Sequence, residues 1–307
     1  MDEATPDDAP FHAGEQRLQM LADVRDRAEQ LGQRIIRDYM TESHRLFFAE
    51  LPLLLIASLD DAGWPIASLL AGEPGFISSR DPRHLQISAK PLVSDPIART
   101  IEVGASLGLL GIQFSTRRRN RLNGEVTQLT GDRFTVSVRQ SYGNCPKYIH
   151  ERELSYGPER AAIAPTLQQG GPSLSAADRA LIASADTFFI ASSSSAAPDR
   201  RRSSGVDMSH RGGPAGFVRI GRAGDRSVLR WDEYPGNNAY NTLGNLLVYP
   251  LASLLFVDFD RGTRLSVRGE AEIGFGADGS EHTVSFRVHD SLRIERALPL
   301  LRTNGTA

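Results

Sequence analysis

The feature that most limits the fold of this 307-residue chain is a pattern of landmarks that occurs twice. Around Thr41 a polar cap precedes a short helical stretch, Ser43 to Glu50, and then an apolar strand ending Ile56-Ala57-Ser58. Around Ser175 another cap precedes the stretch Ala176 to Ser184 and a strand ending Ile190-Ala191-Ser192. Pro74-Gly75-Phe76-Ile77 then answers to Pro214-Ala215-Gly216-Phe217-Val218. Leu109-Leu110-Gly111-Ile112-Gln113-Phe114 answers to Leu254-Leu255-Phe256-Val257-Asp258-Phe259. A Gly-Glu pair, Gly124-Glu125 or Gly269-Glu270, begins fifteen residues after the first leucine in both copies. Repetition on this scale predicts two copies of one unit, each a short helix followed by about six strands with one helix among them. The strands are short and punctuated by Gly, Asp and Asn, and they lack regular β-α alternation, which favours an antiparallel barrel over a doubly wound sheet.

The length also exceeds the roughly 100–200 residues of one ordinary domain. The expected divisions are an acidic disordered tail plus helix over 1–40, a first barrel over 41–164, a linker over 165–174 and a second barrel over 175–307. Within the first of these, Leu18, Leu21, Val24, Ala28, Leu31, Ile35 and Ile36 recur mostly three or four apart, which predicts one helix from Glu15 to Met40. Residues 1–10 are read as disordered, Pro165 to Pro172 as the loose connection, and Ser192 to Ser204 as an exposed hairpin loop.

The charge balance narrows the function. Thirty-five Lys and Arg against 37 Asp and Glu give a net charge of −2, which lacks the basic excess of a nucleic-acid binder. Lys90 and Lys147 are the only lysines, so the basic side chains are almost all arginine. Cys145 is the single cysteine, which rules out an intramolecular disulfide and Cys-rich metal sites within the chain. The longest apolar run, Leu51 to Ala57, is too short to span a bilayer. Met1 to Pro10 has no basic or apolar leader pattern. The expectation is a cytoplasmic protein that binds neither membrane nor nucleic acid.

No Walker phosphate loop, Rossmann glycine fingerprint, Gly-x-Ser-x-Gly elbow or His-Glu-x-x-His is present. His12 and Glu15 are too few for a metal site, and no metal is expected. In Tyr234 to Asn245, Pro235-Gly236 makes a turn, and Asn237 or Asn238 can cap a helix running toward Val248. Asn241, Thr242 and Asn245 then lie in its first turns, so the segment reads either as a well-capped surface helix or as an anion site of the phosphate-monoester type. Ser209-His210-Arg211 should end a strand facing the same side. Arg117, Arg119 and Arg121 should share one strand face, with Arg118 on the other, and Arg264 takes the place of Arg119 in the second copy. Ser141 to Ile149 holds Asn144, Cys145 and Lys147; with no His or Asp partner identifiable, Cys145 is read as structural.

Together these segments resemble the pyridoxamine 5′-phosphate oxidase-like, FMN-binding split β-barrel superfamily. The likeness is to its tandem-barrel subgroup, through Phe11-His-Ala-Gly-Glu15, Arg117-Arg-Arg-Asn-Arg-Leu-Asn-Gly124 and Asn144-Cys-Pro-Lys-Tyr-Ile149. Asp207-Met-Ser-His-Arg-Gly-Gly213, Pro235-Gly-Asn237 and Asn241-Thr-Leu-Gly-Asn245 extend it over nearly the whole chain. Some members carry a further reductase module after the barrels; none is expected here.

The resemblance implies a mainly β (α+β) fold of two tandem split β-barrels with an N-terminal helix and short peripheral helices. It implies FMN between the barrels, with FAD or haem as alternatives, held by Ser209, His210, Arg211, Asn238, Asn241, Thr242, Asn245 and Arg264 of the second half. Arg119, Arg121, Asn144 and Lys147 of the first half would face it. Asn241 and Thr242 stand where the oxidases place Arg and Lys, which speaks against pyridoxamine-phosphate oxidase activity itself. Asp95 at the equivalent helix start of the first half would repel a phosphate, so one flavin site per chain is expected. The implied activity is that of an FMN-dependent oxidoreductase acting on a small molecule, with NAD(P)H or a separate reductase as electron source and His210 as the candidate acid–base residue. A non-catalytic flavin or haem carrier is the alternative, and a homodimer is the expected assembly.

Overall fold

The computed structural model describes residues 9–161, 163–197, 201–276 and 282–303. The tail predicted to be disordered lies mostly outside these residues, as does part of the Ser192–Ser204 loop.

Two antiparallel sheets dominate. The first is built from β1 (Leu53–Leu59), β2 (Pro65–Ala71), β3 (Ile77–Asp81), β4 (His84–Ile87), β5 (Ser106–Gln113), β6 (Arg118–Thr130) and β7 (Arg133–Gly143). After β8 (Glu153–Tyr156) and β9 (Thr166–Gly170), the second contains β10 (Thr187–Ser193), β11 (Val206–Gly212), β12 (Arg219–Ala223), β13 (Arg226–Glu233), β14 (Leu251–Asp258), β15 (Thr263–Phe275) and β16 (His282–Glu295). The spatial order is β2-β1-β5-β6-β7-β4-β3 in one sheet and β11-β10-β14-β15-β16-β13-β12 in the other. The two orders are the same list displaced by nine strands, seven along each path where about six were expected, and β9 pairs with β16 as an eighth strand of the second sheet. Neither sheet closes into a hydrogen-bonded ring. A small third sheet pairs β8 with β17 (Leu300–Thr303).

Six helices are present among the described residues: α1 (Ala13–Leu21), α2 (Arg25–Ile35), α3 (Glu42–Ala49), α4 (Pro158–Ala161), α5 (Ala176–Ser184) and α6 (Asn241–Val248). None is long and apolar enough to cross a membrane. The caps at α3 and α5 form as their sequences require: Thr41 Oγ1 accepts from His44 N, and Ser175 with Asp178 makes a reciprocal capping box.

The packing of β1 and β10 explains their uninterrupted apolar runs. Leu54 and Ile56 of β1 enter the core of the first sheet, while Leu53, Leu55 and Ala57 enter a core shared between the sheets. In β10, Phe188 and Ile190 face their own sheet's core, and Phe189 and Ala191 face the shared one. A strand buried on both faces loses polar alternation. The sheets approach closely there: a Cβ on Gly108 would lie 2.4 Å from the Val206 carbonyl oxygen. Phe114 and Phe259, matched in the repeated sequence, touch each other edge-on at 5.5 Å, with the Arg152 guanidinium over both rings. Contact between matched residues is what a local twofold relation between the halves produces.

Three expectations are corrected. The single N-terminal helix is two helices, broken where Asp23 adopts a left-handed φ of 53°; Leu18 packs into the second core, but Leu21 and Leu31 are exposed. The supposed loose connection contains β9, whose backbone pairs with Ser291–Glu295 of β16. Arg117 sits in the turn before β6 at φ 53°, so only Arg119 and Arg121 of that trio lie on the strand.

Candidate functional site

β6 and β11 meet across the shared core, and their polar residues divide into two groups. The first is a charge-paired network, in which, among the described residues, only Arg121 Nε and Asn123 Oδ1 are buried without a partner. Arg121, 4% exposed, donates from Nη1 to Asp207 Oδ1 at 2.8 Å and to the Tyr142 hydroxyl at 3.1 Å, and from Nη2 to Ser209 Oγ. Thr242 Oγ1 donates to Ser209 Oγ at 2.9 Å, and Asn245 Nδ2 donates to Asp207 Oδ2 at 2.8 Å. His12 completes it: its Nδ1 accepts from Gly14 N, which leaves the proton on Nε2 to donate to Asn245 Oδ1 at 2.9 Å.

The start of α6 departs from the sequence reading. Its N-cap is Tyr240, in a left-handed conformation with no side-chain cap bond. Asn237 Oδ1 accepts from Ala239 N two residues on, and Asn238 is exposed in the preceding loop. Neither asparagine caps the helix, because each is used or turned outward before the helix begins. The donors of the first turn do meet a carboxyl group, but it belongs to the chain: Asn241 Nδ2 donates to Glu15 Oε1, and Glu15 Oε2 accepts from His12 N at 2.8 Å. Gly14 and Gly244 permit this docking, since a Cβ on Gly14 would lie 2.1 Å from the Gly244 carbonyl oxygen. Burial, followed by the nearby Asp207, holds the Glu15 carboxyl well above its ordinary range. The Asn241 amide and the Gly244 backbone are therefore engaged by α1, and the Thr242 hydroxyl by Ser209.

The second group is not balanced. Arg119 donates from Nε to the Cys145 carbonyl oxygen at 2.9 Å and from Nη1 to His210 Nδ1 at 2.8 Å. Among the described residues it has no carboxylate partner. Burial, then Arg211 and Arg121, push it down to about 10. Because His210 Nδ1 accepts, its proton is on Nε2, which is buried without a partner. Burial and the surrounding Arg119, Arg211, Arg152 and His150 hold His210 well below the ordinary histidine range, so it stays neutral. Asn144 Oδ1 is buried and unpartnered as well, while Asn144 N bonds the Arg119 carbonyl. Arg211 is paired with Glu233 at 2.7 Å. Lys147 is exposed on the same loop as Asn144. Tyr148 and Tyr234, one from each half, lie with ring centroids 5.1 Å apart at the surface beside this group. Cys145 is a free, half-buried thiol.

Arg264, grouped with these residues on sequence grounds, lies elsewhere. It is 3% exposed, 2.6 Å from Asp95 Oδ2, and donates to Ser68 Oγ at 2.9 Å. Strand registers place Ser68 opposite Ile56 and Ser209 opposite Ile190, so the two serines occupy matched positions. The Arg264 site is thus the counterpart of the β6–β11 site, with Asp95 neutralising it. Sequence reasoning placed Asp95 at a helix start and noted its charge, but did not find its partner.

No family model matches the chain, and no curated protein does. Among solved structures, a "putative pyridoxamine 5′-phosphate oxidase" from Lactobacillus delbrueckii is similar at 16% identity and a TM-score of 0.29, over 35% of this chain and 98% of that one. The MrkH complex with c-di-GMP from K. pneumonia is similar at 10% identity and a TM-score of 0.20, over 88% of this chain and 84% of that one. Scores this low carry neither fold nor function across.

Proposed function

We propose that the chain is a flavin-binding protein of the oxidoreductase class, holding FMN against the Arg119–His210–Arg211 group and acting on a small molecule. One observation carries this reading: a buried arginine without a carboxylate stands beside the orphaned His210 Nε2–H and a second arginine. Buried charges and polar groups are normally paired, so a buried guanidinium with no carboxylate among the described residues, beside one N–H left without an acceptor, suits an anion from outside. Arg119 and Arg211 would hold the phosphate end, and His210 Nε2–H would donate to an acceptor on the ligand. Asn144 Oδ1 offers the complementary acceptor, and Tyr148 and Tyr234 supply aromatic faces at the surface beside it. Bound FMN supplies the redox chemistry, and the chain supplies orientation and electrostatics. A neutral His210 donates a hydrogen bond but is a poor proton source, so its role here is positioning.

The test is FMN titration followed by flavin fluorescence. Arg119→Met should weaken binding at least tenfold, about 1.4 kcal/mol, while leaving the unliganded protein no less stable, because it removes repulsion among buried cations. Unchanged affinity in that variant defeats the placement. Haem or FAD uptake in place of FMN is distinguished by the absorption spectrum. Bleaching by NADH or NADPH under anaerobic conditions marks an oxidoreductase; stable yellow protein under both marks a carrier.

A further inference from the structure

The counterpart of this site opens into a cavity of about 720 Å³ between the end of β2, the segment after β4, the β8–α4 region and the turn after β16. Its volume falls within the roughly 300–1,000 Å³ of small-molecule pockets. Four cationic side chains line it, Lys90, Arg160, Arg264 and Arg296, against one carboxylate, Glu73. Leu70, Phe76, Leu298 and other apolar residues line much of the rest, together with Ser88 and Tyr156.

The charges are unequally neutralised. Arg264 has Asp95, although its buried Nε has no partner, and Lys90 reaches Asp132 at the exposed rim. Arg160 bonds only carbonyl oxygens, of Leu300 at 2.9 Å and Asp260 at 3.3 Å. Arg296 bonds the Ala164 carbonyl oxygen and the Thr166 hydroxyl. Among the described residues, neither Arg160 nor Arg296 has a carboxylate. Arg296 is also held at a left-handed φ of 55°, a conformation uncommon for a residue with a side chain. Neutral oxygens thus fix two whole cations, Arg160 half-buried and Arg296 exposed, at the wall of a cavity of mixed polar and apolar lining, where charge-assisted bonds to an anion exceed neutral ones.

We propose that this cavity is a second ligand site, separate from the Arg119 group, for a small organic anion: a phosphate monoester or carboxylate on an apolar body. The anionic group lies against Arg160 and Arg296, and the apolar body against Leu70, Phe76 and Leu298. The inference does not rest on the flavin reading.

The experiment uses 1-naphthyl phosphate and 1-naphthoate as anionic probes, with 1-naphthol and inorganic phosphate as controls, followed by calorimetry on the full chain. Either anionic probe should bind one to one, more tightly than both controls, and their relative affinities decide between phosphate and carboxylate. Arg160→Gln/Arg296→Gln should weaken binding at least tenfold. Lys90→Glu, an exposed change that leaves the core untouched, should weaken it in the same direction. Arg119→Met should leave it unchanged, whatever that variant does to FMN. No binding by either probe overturns the proposal. So does binding that ignores both the double variant and Lys90→Glu, or displacement of the probe by FMN in Arg119→Met.

Discussion

Replacing Asp95 by asparagine removes one charge from a buried pair while keeping most of its geometry. The carboxylate and the Arg264 guanidinium are each almost fully buried and stand 2.6 Å apart. Ser68 lies between them, accepting from Arg264 and donating to Asp95. Asp95 also accepts from Ile97 N at 3.1 Å through Oδ1, capping the 3₁₀ turn Pro96–Arg99. Asparagine keeps a carbonyl oxygen for that bond, but its Nδ2 stands where Oδ2 accepted from Ser68 and faced Arg264, so the variant removes the charge together with those acceptor contacts. Leaving a buried guanidinium without its partner costs about 3–5 kcal/mol. With a urea m-value of about 3 kcal/mol/M, the midpoint should fall by about 1–1.7 M. Circular dichroism across a urea series reads this directly.

The double variant Asp95→Asn/Arg264→Met separates charge from packing. It buries no ion, and replacing a whole buried pair by neutral groups is often close to neutral. The double variant should therefore be more stable than Asp95→Asn alone, with a coupling well beyond the roughly 0.3–0.5 kcal/mol scatter of additive pairs. Strictly additive single effects, or a loss below about 1 kcal/mol for Asp95→Asn, would mean that the pair is hydrated and that the reasoning is wrong.

Three further outcomes follow from the β6–β11 region. Glu15 has a raised pKa in the folded chain, so its contribution to stability is complete below its ordinary value of 4.5 and is lost as pH rises through the folded value. Glu15→Gln should flatten that alkaline-going decline in melting temperature, and parallel wild-type and variant curves would contradict it. His210 is shifted the other way, so its contribution is present above 6.5 and disappears as pH falls through the folded value. His210→Gln should remove part of the acid loss of stability, and an unaltered acid limb would exclude His210 as its source. Gly14→Ala drives a methyl group into the Gly244 carbonyl. It should cost about 1–3 kcal/mol as overpacking and expose α1 to limited proteolysis, whereas wild-type protection would show that the helices do not touch there.

Local chemistry made much of the architecture legible. The caps at Thr41 and Ser175, the strand breaks and the fifteen-residue spacing after each leucine pair are properties of short segments, and they match structure in both halves. Periodicity misled at Leu21 and Leu31, because a helical stripe shows which residues could be buried together and does not reveal a break at Asp23. The Asn237-Asn238 cap failed for a related reason: two candidate caps precede the helix, and the backbone enters it through a left-handed Tyr240 instead. Glu15 illustrates the larger limit. Its motif was visible, but its partner Asn241 lies 226 residues away, and no local pattern states which distant helix a carboxyl group will meet. Arg264 was matched to Arg119 correctly by position. Its separation from the second half's other polar residues follows only from the way the two sheets face each other.

That separation bears on the two proposed sites. In a twofold dimer of identical chains, matched positions on the two sides must carry the same residues, so both sites have the same charge. Here both halves lie in one chain, and matched arginines can differ in their surroundings. Arg264 is neutralised by Asp95 beside an open cavity, whereas Arg119 faces a neutral histidine and other cations, with no carboxylate of its own among the described residues. A ligand anion at the Arg119 side gains an uncompensated guanidinium. At the other side it must draw its charge complement from Arg160 and Arg296, because Arg264 is already engaged. Under the two assignments proposed above, the sites obtain their positive charge from different residues, so the Arg119 and Arg160/Arg296 variants are expected to affect separate ligands.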